Sequence, residues 1–194
     1  MVENQLPYPG VIQTLHPSVV GLMKLTHAFG ARVKFSATRT PLDVYISGNP
    51  LAGVLVVGGT APSGFYMEGT PARLPTTGDA AAAFLGGVGF SEYAAWDQRL
   101  PRGPGNVGMY PSGKTMPVVR EGYIALISEV ASPAQGAAIY ARRVAAGGNT
   151  QLGAVTTVAD GTNTIQLTNG YRFTGRNGTS GGLYVAEVEI NLPT

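Results

Sequence analysis

The residues Gly108-Met-Tyr-Pro-Ser-Gly113-Lys114-Thr115 satisfy the pattern of a phosphate-cradling loop. In such a loop backbone amides surround the phosphates, the lysine reaches the terminal ones and the hydroxyl binds magnesium. A chain of this composition produces the match by chance roughly 0.01 times, so context has to decide it. A working loop leaves a buried strand and opens a long helix. Here Leu100-Pro-Arg-Gly-Pro-Gly-Asn106 precedes the loop, and Pro117 and Gly122 interrupt the segment after it. Residues 118–130 read as a strand, and no apolar strand ending in a magnesium-binding Asp appears downstream. The expectation is a Gly-Lys turn between strands, with no nucleotide bound.

Two further motifs fail in the same way. Gly103-Pro-Gly105-Asn-Val-Gly108 matches a dinucleotide fingerprint, a pattern expected roughly 0.5 times by chance in a chain this rich in glycine. It lacks the preceding strand and the following helix, and Pro104 sits inside it. Gly178-Thr-Ser180-Gly-Gly182 matches a nucleophile elbow, but a strand comes after it, and both histidines, His16 and His27, precede Ser180. That is the wrong order for a serine, acid, histidine triad on such an elbow. A loop joining one strand to the next is the better account.

Other chemistry is thin. The absence of cysteine removes disulfides, thiolate metal sites and cysteine nucleophiles. Two histidines eleven residues apart, with Asp43 the nearest following acid, do not make a metal site, so neither metal nor cofactor is expected. Glu187 and Glu189 lie about 7 Å apart on one strand face, a separation that some glycosidases use, but a solvated strand face is the simpler reading. With 13 Lys and Arg against 11 Asp and Glu, and Arg142-Arg143 the sole adjacent cationic pair, no basic patch for nucleic acid is expected.

The elements that would position any site are short strands. Gly (28) and Pro (14) are abundant in the 194 residues and argue against long helices, while charged residues, at 12%, are about half their usual share. An apolar fraction of 44% is enough for a folded core. Runs rich in Val, Ile, Tyr and Thr at 33–36, 43–47, 51–57, 121–130, 138–144, 151–158 and 183–192 are mostly bounded by Gly, Pro, Asn or Ser. This is an all-β signature. Residues 164–168 and 171–174 alternate on either side of Asn169-Gly170, which predicts a two-residue hairpin there. In 183–192, Tyr184, Ala186, Val188, Ile190 and Leu192 share one face and Glu187, Glu189 and Asn191 the other, predicting a half-buried final strand stopped by Pro193.

At most one or two short helices are expected, one over 18–30 capped by Ser18 and one through the alanines at 80–83 capped by Asp79. The Pro-rich residues 1–17 predict an extended N-terminal arm, leaving 18–194 as a single all-β domain, a small β-barrel or β-sandwich with Gly/Pro-rich loops. The longest apolar stretches, 51–59 and 80–90, fall short of the ~18 residues that span a bilayer, so no membrane is expected. The opening residues lack the cationic and apolar regions of a secretory signal, so no export by that route is expected.

Read in order, Leu74-Pro-Thr-Thr-Gly-Asp79, Phe84-Leu-Gly-Gly-Val-Gly-Phe90 and Tyr110-Pro-Ser-Gly-Lys-Thr-Met-Pro-Val-Val-Arg-Glu-Gly-Tyr-Ile-Ala-Leu126 resemble the capsid cement, or decoration, proteins of tailed bacteriophages. The close at Val188-Glu-Ile-Asn-Leu-Pro193 is similar to that family's ending, and together these segments cover about a third of the chain. Residues 1–70 carry no comparable match, and the loop at 99–108 is longer than the family pattern. The resemblance implies a non-enzymatic β domain on the outside of a viral shell, made in the bacterial host cytoplasm. Such a domain bridges neighbouring major capsid proteins and associates with itself as a dimer or trimer. Low charge, nine Tyr and Gly-rich loops suit a surface covered by partners.

The residues expected at partner contacts are Tyr8 in the arm and Trp96, Arg99, Arg102 and Tyr110 in the loop, with the two arginines pairing to capsid acids. Trp96 is equally compatible with a core position. The alternative class is a receptor- or carbohydrate-binding β domain of a tail fibre or surface structure, with Trp96 or Tyr110 as a stacking platform.

Overall fold

The structure is a computed structural model and describes residues 23–24, 46–47, 50–59, 71–89, 109–110, 118–180 and 182–192. These form strands β1 (Met23–Lys24), β2 (Ile46–Ser47), β3 (Leu55–Gly58), β4 (Ala72–Arg73), β5 (Phe84–Val88) and β6 (Val118–Val119). They continue with β7 (Glu121–Ser128), β8 (Tyr140–Arg142), β9 (Val155–Thr156), β10 (Thr164–Gln166), β11 (Tyr171–Ser180) and β12 (Leu183–Asn191). The larger sheet runs β10-β8-β9-β7-β12-β11, with β1 also against β7, and the smaller runs β2-β4-β3-β5-β6. The described residues are thus all-β in two sheets, as the punctuated apolar runs require, and neither sheet closes into a barrel.

Strand β7 organises the larger sheet. It pairs with β12 over eight registered residues, from Tyr184↔Ser128 to Asn191↔Glu121. Its other edge takes β1 at Met23↔Ile124 and, further along, β9 in parallel at Ser128↔Val155. Alternation sends Ile124 and Leu126 into one apolar cluster and Ala125 and Ile127 into another, so β7 is buried on both faces. The cluster around Ile124 also takes Leu55, Val57, Phe84 and Val119 from the smaller sheet and Phe173, Val188 and Ile190 from the larger. Contact between the sheets is close at Gly87 in β5, where an added Cβ would lie 3.0 Å from Leu126 Cδ2 and 3.1 Å from Ile124 Cδ1. A further tight crossing is Gly153, at φ 78°, whose missing side chain leaves room for the Leu55 carbonyl. Its own carbonyl accepts the Leu55 N–H at 2.8 Å.

Four local expectations need correction. The predicted hairpin at Asn169-Gly170 does not form. Strand β10 pairs with β8 and β11 pairs with β12, at opposite edges of the larger sheet. Gly170 has the expected positive φ of 75°, but it turns a corner from one sheet edge to the other. Five strand spacings of about 4.8 Å would hold the edges of a flat sheet about 24 Å apart. Five Cα steps of about 3.8 Å, from Gln166 to Tyr171, span at most about 19 Å, so the sheet must curl. The hairpin is instead formed by β11 and β12, with Ser180 opposite Leu183, where the sequence suggests only a connecting loop.

Within the expected helix at 18–30, Met23–Lys24 is a strand, because the unpaired edge of β7 offers it hydrogen bonds; the rest of that helix lies outside the described residues. The second expected helix is a single 3-10 turn, Ala81–Ala83, with no side-chain cap. Asp79 turns back to the charged Arg73 and to Thr76 instead of capping forward.

In β12, Ala186, Val188 and Ile190 are buried as expected, but Tyr184 is 46% exposed and Glu187 only 4%. A bulge in β11 between Phe173 and Asn177 breaks the simple register, and the Thr174 hydroxyl donates to Glu187 Oε1 at 3.0 Å. The expected solvated carboxylate face is therefore half internal.

Candidate functional site

Strand β8 ends in the one adjacent pair of cations, and alternation sends Arg142 and Arg143 to opposite sides. Arg142 is 2% exposed. Its Nε and one terminal nitrogen donate to the two oxygens of Glu129 at 2.7 and 2.8 Å, a two-pronged contact, and the other terminal nitrogen donates to Asp160. The Glu129 side chain is 8% exposed and that of Asp160 43%, so one carboxylate is internal and the other reaches solvent. The hydrogen bond to Glu129, followed by that to Asp160, holds the Arg142 pKa above its ordinary value despite burial, and the Asp160 carboxyl is correspondingly lowered.

Arg143 joins the turn after β4 to the turn that leads into β10. It donates to the carbonyls of Thr77 and Asp79 at 2.7 and 2.8 Å, and to those of Thr162 and Thr164 at 3.0 and 3.3 Å. The turn it grips is itself held by Asp79, which accepts from Arg73 at 2.7 Å and from the Thr76 N–H at 2.6 Å. Those contacts, the Arg73 hydrogen bond above all, lower the Asp79 carboxyl to about 2. A polar tie thus runs from Arg73 in β4 through Asp79, Arg143, the 160–164 turn and Arg142 to Glu129 beyond β7. It has the chemistry of a brace, since each carboxylate in it accepts from an arginine of the same chain and both terminal nitrogens of Arg143 donate to carbonyls.

The corner between β10 and β11 holds a cavity of about 400 Å³. Its walls are mostly apolar, with Ala81, Phe84, Leu167 and Leu192 among them, and Arg120 is the one charged side chain lining it. Tyr171 also lines it, 9% exposed, and its hydroxyl has no hydrogen-bond partner among the described residues. Burial raises the Tyr171 pKa, outweighing the opposing effect of Arg120, so the hydroxyl remains a donor. Among the described residues no three His, Asp or Glu side chains are grouped to hold a metal ion.

The two-sheet arrangement recurs in a solved protein from the capsid of Myoviridae phage XM1, with a TM-score of 0.51 at 13% identity, over 88% of this chain and 92% of that one. The family described as structural cement protein (E217 gp24/Pam3 gp6) matches residues 25–191. The chain belongs to the phage structural cement proteins. No curated protein matches it.

The match to the cement family begins just after β1 and runs to the last residue of β12, so it takes in every other strand of both sheets, the arginine tie and all of the cavity lining but Leu192. Of the contact residues expected in this cement protein, Tyr8, Trp96, Arg99 and Arg102 lie outside the described residues. Tyr110 is 3% exposed and its hydroxyl donates to the Gly89 carbonyl at 2.9 Å. It packs in the core beside the Leu51–Met109 bridge, where burial of its ring is favourable. Downstream of the phosphate-loop pattern come β6 and β7, strands where a nucleotide site needs a helix. Ser180 ends a strand at a hairpin, not at a strand-to-helix elbow. The large apolar side chains that do face solvent among the described residues are Val158, 61% exposed, and Tyr184. Sequence reasoning missed the brace. Its only trace was two consecutive arginines inside an apolar run of a chain with few charges.

Proposed function

We propose that this cement protein sits on the outer surface of a phage capsid, bridges neighbouring major capsid proteins and strengthens the shell against internal DNA pressure without catalysing a reaction. The observation that carries this reading is the family match over residues 25–191. The Myoviridae capsid likeness supports it at the level of the fold.

The internal brace suits the task. A bridge transmits load only if its own loops resist deformation, and Arg143 fastens the turn at 77–79 to that at 162–164 through four carbonyls. The arm around Tyr8 and the loop carrying Trp96, Arg99 and Arg102 supply the contacts, the arginines to capsid acids. Many weak contacts become strong when the partner sites are fixed in place. A dimer or trimer of the protein, made in the host cytoplasm, would multiply them. No nucleic acid or membrane enters this scheme, since the adjacent arginines are engaged internally.

The test is a particle lacking the protein. Deletion should leave shells that assemble but release DNA at lower temperature or on milder osmotic shock, and added purified protein should bind them and restore resistance. Shells that do not bind it, or that are equally robust without it, refute the reading. A tail-fibre receptor or glycan module is the competing outcome, and binding to a glycan array with no binding to shells would establish it.

A further inference from the structure

Two Asn-Gly bonds occur in the chain, Asn169-Gly170 and Asn177-Gly178, and they look alike in sequence. Before a glycine, an asparagine side chain is exposed to attack by the next backbone nitrogen, because no Cβ screens that nitrogen from the amide carbon. The attack needs a glycine N–H that no hydrogen bond holds and an amide free to rotate towards it. The structure separates the two bonds on both counts. Asn177 and Gly178 stand inside the β11–β12 ladder, opposite Ala186 and Val185, and the Asn177 amide donates to the Gly175 carbonyl at 3.1 Å. Asn169 belongs to no strand, is exposed at the corner cavity it helps to line, and has an amide with no hydrogen-bond partner among the described residues. Gly170 accepts the Asn191 N–H at 2.7 Å through its carbonyl, but its own N–H donates to no backbone carbonyl among the described residues. The fold also keeps a glycine there, since at φ 75° a Cβ would collide with the Asn191 carbonyl oxygen.

We infer that Asn169 is a site of spontaneous modification, at which the folded protein deamidates through a cyclic imide while Asn177 stays intact. The Gly170 nitrogen bonds to the Asn169 side-chain carbonyl carbon and gives up its proton, and the bond from that carbon to the amide nitrogen breaks, releasing ammonia. Water then opens the imide at either carbonyl. The product is aspartate, or isoaspartate in which the main chain runs through the former side chain. One water is consumed for each ammonia released, and no oxidant, cofactor or second protein takes part. Either product sets a carboxylate on the lining that also holds Arg120, and lowers the formal net charge of +2 by one. Isoaspartate also adds a main-chain carbon to the short connection between β10 and β11. The aged protein therefore differs from the fresh one at this corner, in charge and in chain length. The chemistry requires no shell, so its failure would leave the cement reading untouched.

The test is peptide mapping of the full chain, kept folded at mildly alkaline pH for several weeks, with a zero-time digest subtracted. Trypsin separates the two sites, because the peptide 144–172 carries Asn169 and the peptide 177–194 carries Asn177. Conversion of amide to acid, read by mass and placed by fragmentation, should be at least about tenfold faster at Asn169 than at Asn177, where the strand pair must first open. In guanidinium chloride, with β11 and β12 unpaired, the two rates should come within about threefold of each other. The variant Asn169→Gln, whose longer side chain closes the ring far more slowly, should not accumulate the acidic species that the unaltered protein shows on ion exchange. Equal rates in the folded protein, a faster rate at Asn177, or an Asn169 rate that folding suppresses as strongly as that of Asn177 would overturn the inference. So would an acidic species that accumulates undiminished in Asn169→Gln.

Discussion

Replacing Arg142 with Met tests the brace directly. The substitution keeps an unbranched apolar stem of similar reach in a position that is 2% exposed, and removes only the guanidinium. Two carboxylates then lose their partner, with unequal consequences. Asp160 has a side chain 43% exposed and returns to water at little cost. Glu129, 8% exposed, loses hydrogen bonds of 2.7 and 2.8 Å and is left as a buried, uncompensated anion. Breaking a buried pair in this way costs about 3–5 kcal/mol, a large part of the roughly 5–15 kcal/mol that holds a domain folded. In a chain of this length the melting temperature should fall by roughly 6–20 °C. The decisive measurement is a double-mutant cycle in urea with Glu129→Leu. Removing both charges replaces the pair by apolar groups, so the double variant should recover to within about 1–2 kcal/mol of the original, with a coupling energy of at least about 2 kcal/mol. A loss below about 1 kcal/mol in Arg142→Met, or additive losses in the double variant, would refute the claim that these charges act as one buried unit.

Acid should loosen the Arg73–Asp79 turn. The Asp79 carboxyl titrates near 2 in the folded protein against 3.8 for an unperturbed Asp, so the unfolded chain takes up its proton first as the pH falls. Its stabilisation is complete above about pH 5 and disappears towards pH 2. With Arg73 31% exposed and solvent screening the pair, it amounts to about 1–2 kcal/mol. Urea midpoints measured between pH 5 and 2.5 should fall less steeply for Asp79→Asn than for the unaltered protein, and equal slopes would disprove this assignment. At Gly153 an alanine must adopt φ 78° and also collide with the Leu55 carbonyl, whereas Gly148→Ala, at φ 87° with nothing within 4 Å, meets only the backbone strain. Chemical denaturation should show a loss of about 1 kcal/mol at Gly148 and at least about 2 kcal/mol more at Gly153; equal losses would mean that the crossing onto β3 is loose.

Strands were legible in the sequence and their partners were not. The runs at 121–130, 138–144 and 183–192 each contain a strand because period-two alternation and Gly or Pro boundaries are local properties. Pairing is not local. Asn169-Gly170 satisfies the backbone demand of a tight turn, but that demand is the same whether the chain folds back on its neighbour or crosses to the far edge of a curled sheet. Burial failed where tertiary contacts override alternation. Glu187 is internal because the β11 bulge carries Thr174 over it, and Tyr110 is internal although aromatic residues in Gly-rich loops also serve as contact residues. Asp79 reads as a helix cap from its neighbours in sequence, while the partner that controls it, Arg73, lies on the preceding strand. The candidate contact residues were legible only as types, since whether an aromatic ring is core or anchor depends on what the rest of the fold places against it.

The low charge acquires a more specific meaning from these positions. A chain with 13 cations could present them as a field for polyanions, yet Arg73, Arg142, Arg143 and Arg172 all pair with acids or carbonyls of the same chain. Charge here joins loops that lack the regular hydrogen-bonding ladders to hold themselves, so a fold with short strands and abundant Gly and Pro gains stiffness where its backbone alone is weak. What remains for binding is apolar surface, backbone and a few unmatched groups. Multivalent contact with a fixed shell can make such contacts strong, because each is weak alone and none depends on long-range attraction. The same economy leaves the cavity at the corner of the larger sheet. A chain that turns Asn169-Gly170 across the open edges, without pairing them, leaves both a cavity and an unmet donor there, and strand pairing elsewhere in the sheet would provide neither.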